Sequence, residues 1–303
     1  MVLNKQIGIT GSSGLLGRHV IKFFLKKKCK VIATSRKKPN INHKNLIWKK
    51  IDLNKKLNEK KLEKIYKNIC CLIHIGAYVP KINKKKNFKY INNVNVVSSS
   101  SLASWSNRKK IQFIFISGAA IYRQWVKNSE NSVLLKNSKN NYLLSKIKSE
   151  KKILNLFRNN KSKLTILRPS SIFGAGQDKN KLIPKYINNF KNNKKIEIYN
   201  FKKTKINLIH AKDIASAVYL SYKKNIYGIY NIGSKKCVNF LIISKFLKKL
   251  LKSNSKIILK KSDLYKKINP LDVNISRIKT KLNWHPKINL KEGLKMTIEE
   301  KCF

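Results

Sequence analysis

Tyr142 and Lys146 stand one helical turn apart in the run Asn141-Tyr142-Leu143-Leu144-Ser145-Lys146, so a helix there presents both side chains on one face. A phenol titrates near pH ~10, out of range for a base at neutral pH. An ammonium beside it, together with a positively charged ring, favours the phenolate and lowers that value. The phenolate can then act as a general base. Tyr199 with Lys203 and Tyr219 with Lys223 share the spacing, so spacing alone selects nothing. Position does: only Tyr142 lies on a helix following a strand, Gln112 to Ser117, that can carry a site at its end.

The stretch Ile7-Gly8-Ile9-Thr10-Gly11-Ser12-Ser13-Gly14-Leu15-Leu16-Gly17 suits a dinucleotide. It reads as a buried strand, a glycine turn and a helix running through Val20, Ile21, Phe24 and Leu25. Gly11 takes the tight turn, Gly14 lets the backbone approach a pyrophosphate, and Gly17 lets the helix lie close on the sheet. The N–H groups around Ser13, Leu15 and Leu16 would then face the anion from the helix start.

The other cofactor candidates lie at successive strand ends. Val31 to Ser35 is the second strand, and no acidic residue follows it to bind ribose hydroxyls. Arg36, with Ser35 as a donor, suits a 2′-phosphate instead, which favours NADP over NAD. The third strand, Ile47 to Ile51, ends in Asp52-Leu53, where Asp52 can accept from an adenine amino group. The apolar strand Cys71 to Ile75 closes in Gly76-Ala77, small residues that leave room for a cofactor across the sheet. His74 reads as a packed strand residue without chemistry.

A helical stretch from Tyr90 to Trp105, a strand from Leu164 to Arg168 and a turn from Pro169 to Gly176 continue the alternation. Strands alternating with helices predict an α/β fold with a doubly wound parallel sheet. Beyond Gly176 the pieces become shorter and irregular, as in a smaller α+β substrate domain over the carboxyl ends of the strands. The predicted boundaries are 1–175 plus about 207–236 for the dinucleotide-binding domain, and about 176–206 plus 237–303 for the substrate domain.

A chain of 303 residues can bury a full core. It shows no basic-then-apolar leader and no apolar run near the roughly 20 residues of a membrane span. Cys29, Cys70, Cys71, Cys237 and Cys302 are odd in number and match no zinc or disulfide spacing, so they read as reduced thiols in a cytoplasm. The net charge of +56 comes from 69 lysines and arginines against 13 acids, and all but seven of the cations are lysine. That surplus is spread along the chain with asparagine and isoleucine, not gathered in a stripe between aromatics. Compositional drift accounts for it better than a nucleic-acid footprint does.

Taken in order, further motifs carry a resemblance. They include Phe115-Ile116-Ser117-Gly118-Ala119-Ala120-Ile121-Tyr122, Leu167-Arg168-Pro169-Ser170-Ser171-Ile172-Phe173-Gly174, Ile209-His210-Ala211-Lys212-Asp213 and Leu282-Asn283-Trp284-His285-Pro286. With the glycine loop and the Tyr142–Lys146 pair, they make the chain resemble an extended short-chain dehydrogenase/reductase of the NAD-dependent epimerase/dehydratase family. The resemblance implies that Tyr142 takes a sugar hydroxyl proton and that Lys146 anchors the cofactor. It places Pro169 and Ile172 toward the nicotinamide amide and Ser171 on a substrate phosphate. A small-molecule partner, a nucleotide sugar, and a homodimer are what it suggests; epimerisation, dehydration and reduction all stay open.

Three positions depart from the family pattern. Gly118 stands where the family carries its catalytic serine or threonine, leaving Ser117 or a water to polarise the sugar oxygen. Arg123 replaces a glycine. Ile206 replaces an arginine for the nucleotide diphosphate, with Lys203 or Lys205 as substitutes. All three lie on the substrate side, so reduction of a non-nucleotide carbonyl compound, or a catalytically silent dinucleotide- or RNA-binding member of the fold, are the alternatives.

Overall fold

The computed structural model describes residues 6–80, 87–123, 127–160, 163–200, 205–261 and 272–300. The first half alternates β1 (Gln6–Thr10), α1 (Leu15–Lys26), β2 (Lys30–Ser35), β3 (Leu46–Lys50), α2 (Glu59–Ile65) and β4 (Ile69–His74). Next come α3 (Phe88–Asn92), a π-helical turn (Asn93–Val97), α4 (Ser98–Arg108), β5 (Gln112–Ile116), α5 (Asn141–Leu156) and β6 (Leu164–Pro169). The second half holds β7 (Ser171–Phe173), α6 (Leu182–Lys191), β8 (Ile196–Tyr199), β9 (Lys205–Ile206), β10 (Leu208–His210), α7 (Ala211–Lys223) and β11 (Gly228–Ile232). It finishes with β12 (Val238–Asn239), α8 (Phe240–Leu250), β13 (Ile257–Lys260), α9 (Ser276–Leu282) and α10 (Leu290–Glu299).

Seven of these strands form one sheet in the order β11-β6-β5-β4-β1-β2-β3, every pair parallel. This is the doubly wound arrangement expected from the sequence, with the order reversing beside β1. Parallel strands covered on both faces must be apolar throughout, and β5 is buried at all five positions. Its alternation divides the core. Ile114 and Ile116 pack with Val20, Phe24, Ile214 and Val218 of α1 and α7. Phe113 and Phe115 pack with Leu62, Leu102, Trp105 and Ile153 of α2, α4 and α5. A third core gathers Phe173, Ile183, Phe190, Ile198, Leu208, Leu247 and Leu294.

Asparagine, abundant by composition, is put to local use. Asn58, Asn87, Asn140, Asn239 and Asn289 cap α2, α3, α5, α8 and α10, each side chain accepting from a first-turn N–H. Asn68, Asn193, Asn200, Asn225 and Asn283 take positive φ angles, which this side chain tolerates better than most.

One expectation changes and another is refined. The turn predicted from Pro169 to Gly176 contains β7, which pairs in parallel with β10; only that distant partner makes three residues a strand. The helical stretch predicted from Tyr90 to Trp105 is helical throughout but widens into a π turn at Asn93–Val97, a distortion that often marks a functional position.

Candidate active site

The glycine loop is packed backbone against backbone. Gly11 has φ +69°, and a Cβ on it would sit 2.6 Å from the Gly76 nitrogen. A Cβ on Gly17 would overlap the Gly11 carbonyl, which accepts from Gly14 N at 3.0 Å. Gly14 precedes α1 with no side-chain cap, and no acid lies in the first turn, so the helix start presents its positive end without a counter-charge. Thr10 Oγ1 accepts from Ile75 N and Gly76 N at 3.1 and 3.0 Å, which pins the end of β4 to the loop. A Cβ on Gly76 would lie 2.7 Å from Leu53 Cδ1, so Gly11, Gly76 and Leu53 pack together at the strand ends, with Ala77 adjoining. Ser13 turns its carbonyl to Arg18. Leu16 is buried and Leu15 packs against the same core, so backbone N–H groups are what these two can offer an anion. A cradle lined by peptide groups, at an uncapped helix start, fits a diphosphate.

His74 is structural, as expected. Its Nδ1 lies 2.6 Å from Thr10 Oγ1 and its Nε2 2.8 Å from Ser99 Oγ, and burial pushes it down to about 3. Asp52 Oδ1 accepts from Asn54 N at 3.0 Å within its own turn. Ser35 is held in a polar network. Its hydroxyl donates to Lys37 O at 2.5 Å, accepts from Trp48 Nε1 at 3.1 Å and lies 2.6 Å from Ser12 Oγ. The side chain is buried in that network, where its proton already has an acceptor in Lys37 O. Arg36 is exposed and donates to Tyr90 Oη at 3.1 Å.

At the reactive end, α5 begins on its Asn140 cap, which accepts from Tyr142 N. Lys146 is buried; its Nζ donates to Ile116 O at 2.9 Å and lies 5.0 Å from the centre of the Phe115 ring. Burial lowers it to about 8, against the attraction of Glu150. Tyr142 is raised to about 12 by burial. The lowering expected from the sequence needs the coenzyme's positive ring as well as the ammonium; the protein by itself turns that ammonium to a strand-end carbonyl, and burial alone acts on the phenol. Ser117 Oγ is buried and has no hydrogen-bond partner, an orphan that a ligand at the strand end would satisfy. Gly118 has φ −177° and no heavy atom within 4 Å of its Cβ position, so the family's missing side chain is replaced by open space.

Residues given no role by the sequence frame this end. Glu150, one turn beyond Lys146, forms a buried pair with Arg168 of β6, Nη2 to Oε2 2.5 Å. Arg168 also donates to Tyr122 Oη and Glu130 O, and Tyr122 donates to Asn231 Oδ1. Their shared helical face with Tyr142 was a signal for Glu150; the Arg168 partner is 18 residues away and was not. Asn95, in the π turn, donates to Ser145 Oγ at 2.8 Å, and Ser145 donates to Tyr142 O at 2.7 Å.

On the substrate side, Pro169 ends β6 beside Ile232, and Ser171 N donates to Asn207 O at 3.0 Å. Ile172 follows on β7, half-buried. Lys205 is exposed on β9, whereas Ile206 packs against the third core. Lys203 and Cys302 lie outside the described residues. Among the described residues no helix is long and apolar enough to cross a membrane.

Residues 7–233 match the NAD dependent epimerase/dehydratase family. The chain is 28% identical over 264 residues to dTDP-D-glucose 4,6-dehydratase of Dictyostelium discoideum, covering 80% of this chain and 61% of that protein. It thus spans about three fifths of the length of that relative and of its Bos taurus counterpart. A putative UDP-glucose 4-epimerase of Methanocaldococcus jannaschii is 26% identical, with 97% of both chains covered. Among solved structures, UDP-glucose 4-epimerase of Thermotoga maritima with UDP-glucose superposes with a TM-score of 0.83 at 20% identity, over 97% of each chain. dTDP-glucose 4,6-dehydratase of Bacillus anthracis in complex with NAD gives 0.82 at 20% identity, over 97% of this chain and 96% of that one. A family match over more than two thirds of the sequence, on the sheet order and glycine loop described above, leads to one conclusion: the chain belongs to the NAD dependent epimerase/dehydratase family.

Proposed function

We propose that this protein is an NAD(P)-dependent oxidoreductase, using NADP in preference to NAD, that acts on a nucleotide sugar as an epimerase, dehydratase or reductase. The observation that carries the reading is the pairing of two features at strand ends of one sheet. One is the peptide-lined cradle at Gly11, Gly17 and Gly76; the other is Lys146, buried against the carbonyl at the end of β5. The relatives' names, dehydratases and epimerases of dTDP- and UDP-sugars, support the substrate class.

When bound, the nicotinamide coenzyme supplies the hydride acceptor. Gly11, Gly14 and the first N–H groups of α1 hold its diphosphate, Asp52 and Leu53 flank the adenine, and Arg36 takes the 2′-phosphate. Gly76, Ala77, Ser117, Pro169 and Ile172 line the rest of its path. Lys146 exchanges the Ile116 carbonyl for a ribose hydroxyl. Tyr142 accepts the sugar hydroxyl proton; Ser171 and Lys205 receive the substrate phosphates. The division into a dinucleotide-binding domain (1–175 and about 207–236) and a substrate domain (about 176–206 and 237–303) belongs to the same reading. So does a reducing, cytoplasmic setting.

The test is to incubate the purified protein with UDP-, dTDP-, CDP- and GDP-sugars and each coenzyme, following products by mass and NMR. A changed sugar establishes substrate and reaction together. No change in any sugar, with no binding of either coenzyme, refutes the proposal. Ile206, turned into the apolar third core, favours a second reading in which the substrate is a carbonyl compound without a diphosphate; the same assay extended to simple aldehydes and ketones distinguishes it.

Gly118 gives a gain-of-function prediction. Its extended backbone accepts any residue, and its Cβ position is open, so Gly118→Ser is expected to fold normally and to raise kcat about tenfold or more by supplying an oxygen-polarising donor. An unchanged kcat would mean that the donor already comes from elsewhere, with Ser117→Ala as the next variant to assay.

A further inference from the structure

With the Ser35 hydroxyl committed inward, recognition of a 2′-phosphate falls on Arg36, and what positions Arg36 becomes decisive. Arg36 follows β2, and Tyr90 lies on α3, which follows β4. β2 and β4 flank β1 in the sheet, so the 3.1 Å bond from Arg36 Nη1 to Tyr90 Oη crosses the ground in front of β1 and its glycine loop. Tyr90 is itself anchored. Its backbone N–H donates to the Asn87 cap, and its ring meets Tyr78 edge-on, centroids 5.5 Å apart at 84°. Tyr78 in turn has its backbone N–H held by Asn95 Oδ1 at 2.7 Å and its carbonyl by Asn95 Nδ2 at 3.1 Å. Asn95 is buried. A chain of fixed contacts thus runs from the π turn outward to an exposed guanidinium.

We infer that Tyr90 is a positioning residue for coenzyme choice: its hydroxyl holds the Arg36 guanidinium over the adenosine end of the crevice, pre-aimed at a 2′-phosphate. A guanidinium carries five N–H donors in a rigid fork, so one bond to Tyr90 leaves a fork face for two phosphate oxygens. A long exposed side chain otherwise loses rotamer freedom on binding, and a fixed phenol removes part of that loss beforehand. The inference rests on the NADP reading above. It also explains how a basic surface singles out one anion site: Lys37 and Lys38 follow Arg36 in sequence, but a lysine offers a point charge without the fork.

The experiment measures binding of NADP, NAD, adenosine 2′,5′-bisphosphate and 5′-AMP to the intact protein by calorimetry, independently of turnover. Tyr90→Phe keeps the ring against Tyr78 and removes only the hydroxyl. It is expected to weaken NADP and the bisphosphate about fivefold and to leave NAD and 5′-AMP unchanged. Arg36→Ala should weaken the same two ligands about thirtyfold or more, and adding Tyr90→Phe to it should cost nothing further. If Arg36→Ala weakens all four ligands equally, the NADP reading falls, and this inference with it. If Arg36→Ala is selective but Tyr90→Phe changes nothing, or if their losses add, the reading stands and the role of Tyr90 is overturned.

Discussion

Tyr142→Phe is expected to lower kcat by about 10³-fold or more, the scale of a lost acid–base group, while coenzyme affinity stays within about threefold, since the hydroxyl lost is a small part of a dinucleotide's contacts. The structure sharpens this beyond a substitution test. Burial holds the phenol at about 12 and Lys146 at about 8. On the proposed mechanism the phenol would have to be brought down before it acts, and the Lys146 ammonium, now on Ile116 O, is the charge that would do so. That charge is lost as pH rises through about 8, earlier than for an ordinary lysine. Log kcat/KM should accordingly rise with pH as Tyr142 ionises and stop rising near pH 8 in the wild type. Lys146→Met should depress the profile and abolish its break near pH 8, so that it keeps rising with pH. A Phe variant that keeps wild-type turnover removes Tyr142 from the chemistry.

Acid should unfold the protein steeply. His19, His74 and His210 are buried and pushed down to about 4, 3 and 4, in each case chiefly by burial. Lys212 and Lys22 add to the effect at His19, His19 and Lys212 at His210, and Lys146 at His74, while Glu300 opposes it at the first two. The native state thus prefers neutral imidazoles. The unfolded chain protonates them near pH ~6.5, so it binds more protons than the native state below that pH, and stability falls as pH falls. Each group contributes at most about 1.4 kcal/mol per pH unit. Three together reach about 4 kcal/mol per unit between roughly pH 6 and 4.5, against a total of about 5–15 kcal/mol for a typical domain. Thermal melts should show Tm dropping sharply below pH ~6, with calorimetric proton uptake on unfolding approaching three. A Tm that stays level from pH 7 down to 5 would contradict burial of these three rings. The basic surface works the same way, since the net charge of +56 repels itself, and added salt should raise Tm at every pH.

Much of the fold is written locally. The apolar runs of β1, β2, β4 and β5 announce buried parallel strands because both faces must be covered. The spacing of Gly11, Gly14 and Gly17 specifies a loop that the backbone packing at Gly76 explains atom by atom. The shared face of Tyr142, Lys146 and Glu150 follows from helical periodicity alone. Such features depend on neighbours within a turn or two.

What the tertiary structure decided depends on groups far apart in the chain. Ser35 reads as a surface donor until Trp48 and Ser12 close on its hydroxyl. β7 exists because β10 pairs with it, and α9, a short C-terminal helix, buries Ile278 and Leu282 in the core of the large sheet, not in the third core. That Lys146 is buried with its ammonium on the carbonyl of Ile116, 30 residues away, no local pattern shows. A side chain's type and spacing set what it can do; its pKa and its hydrogen-bond partner are set by the burial and dipoles that distant segments bring to it.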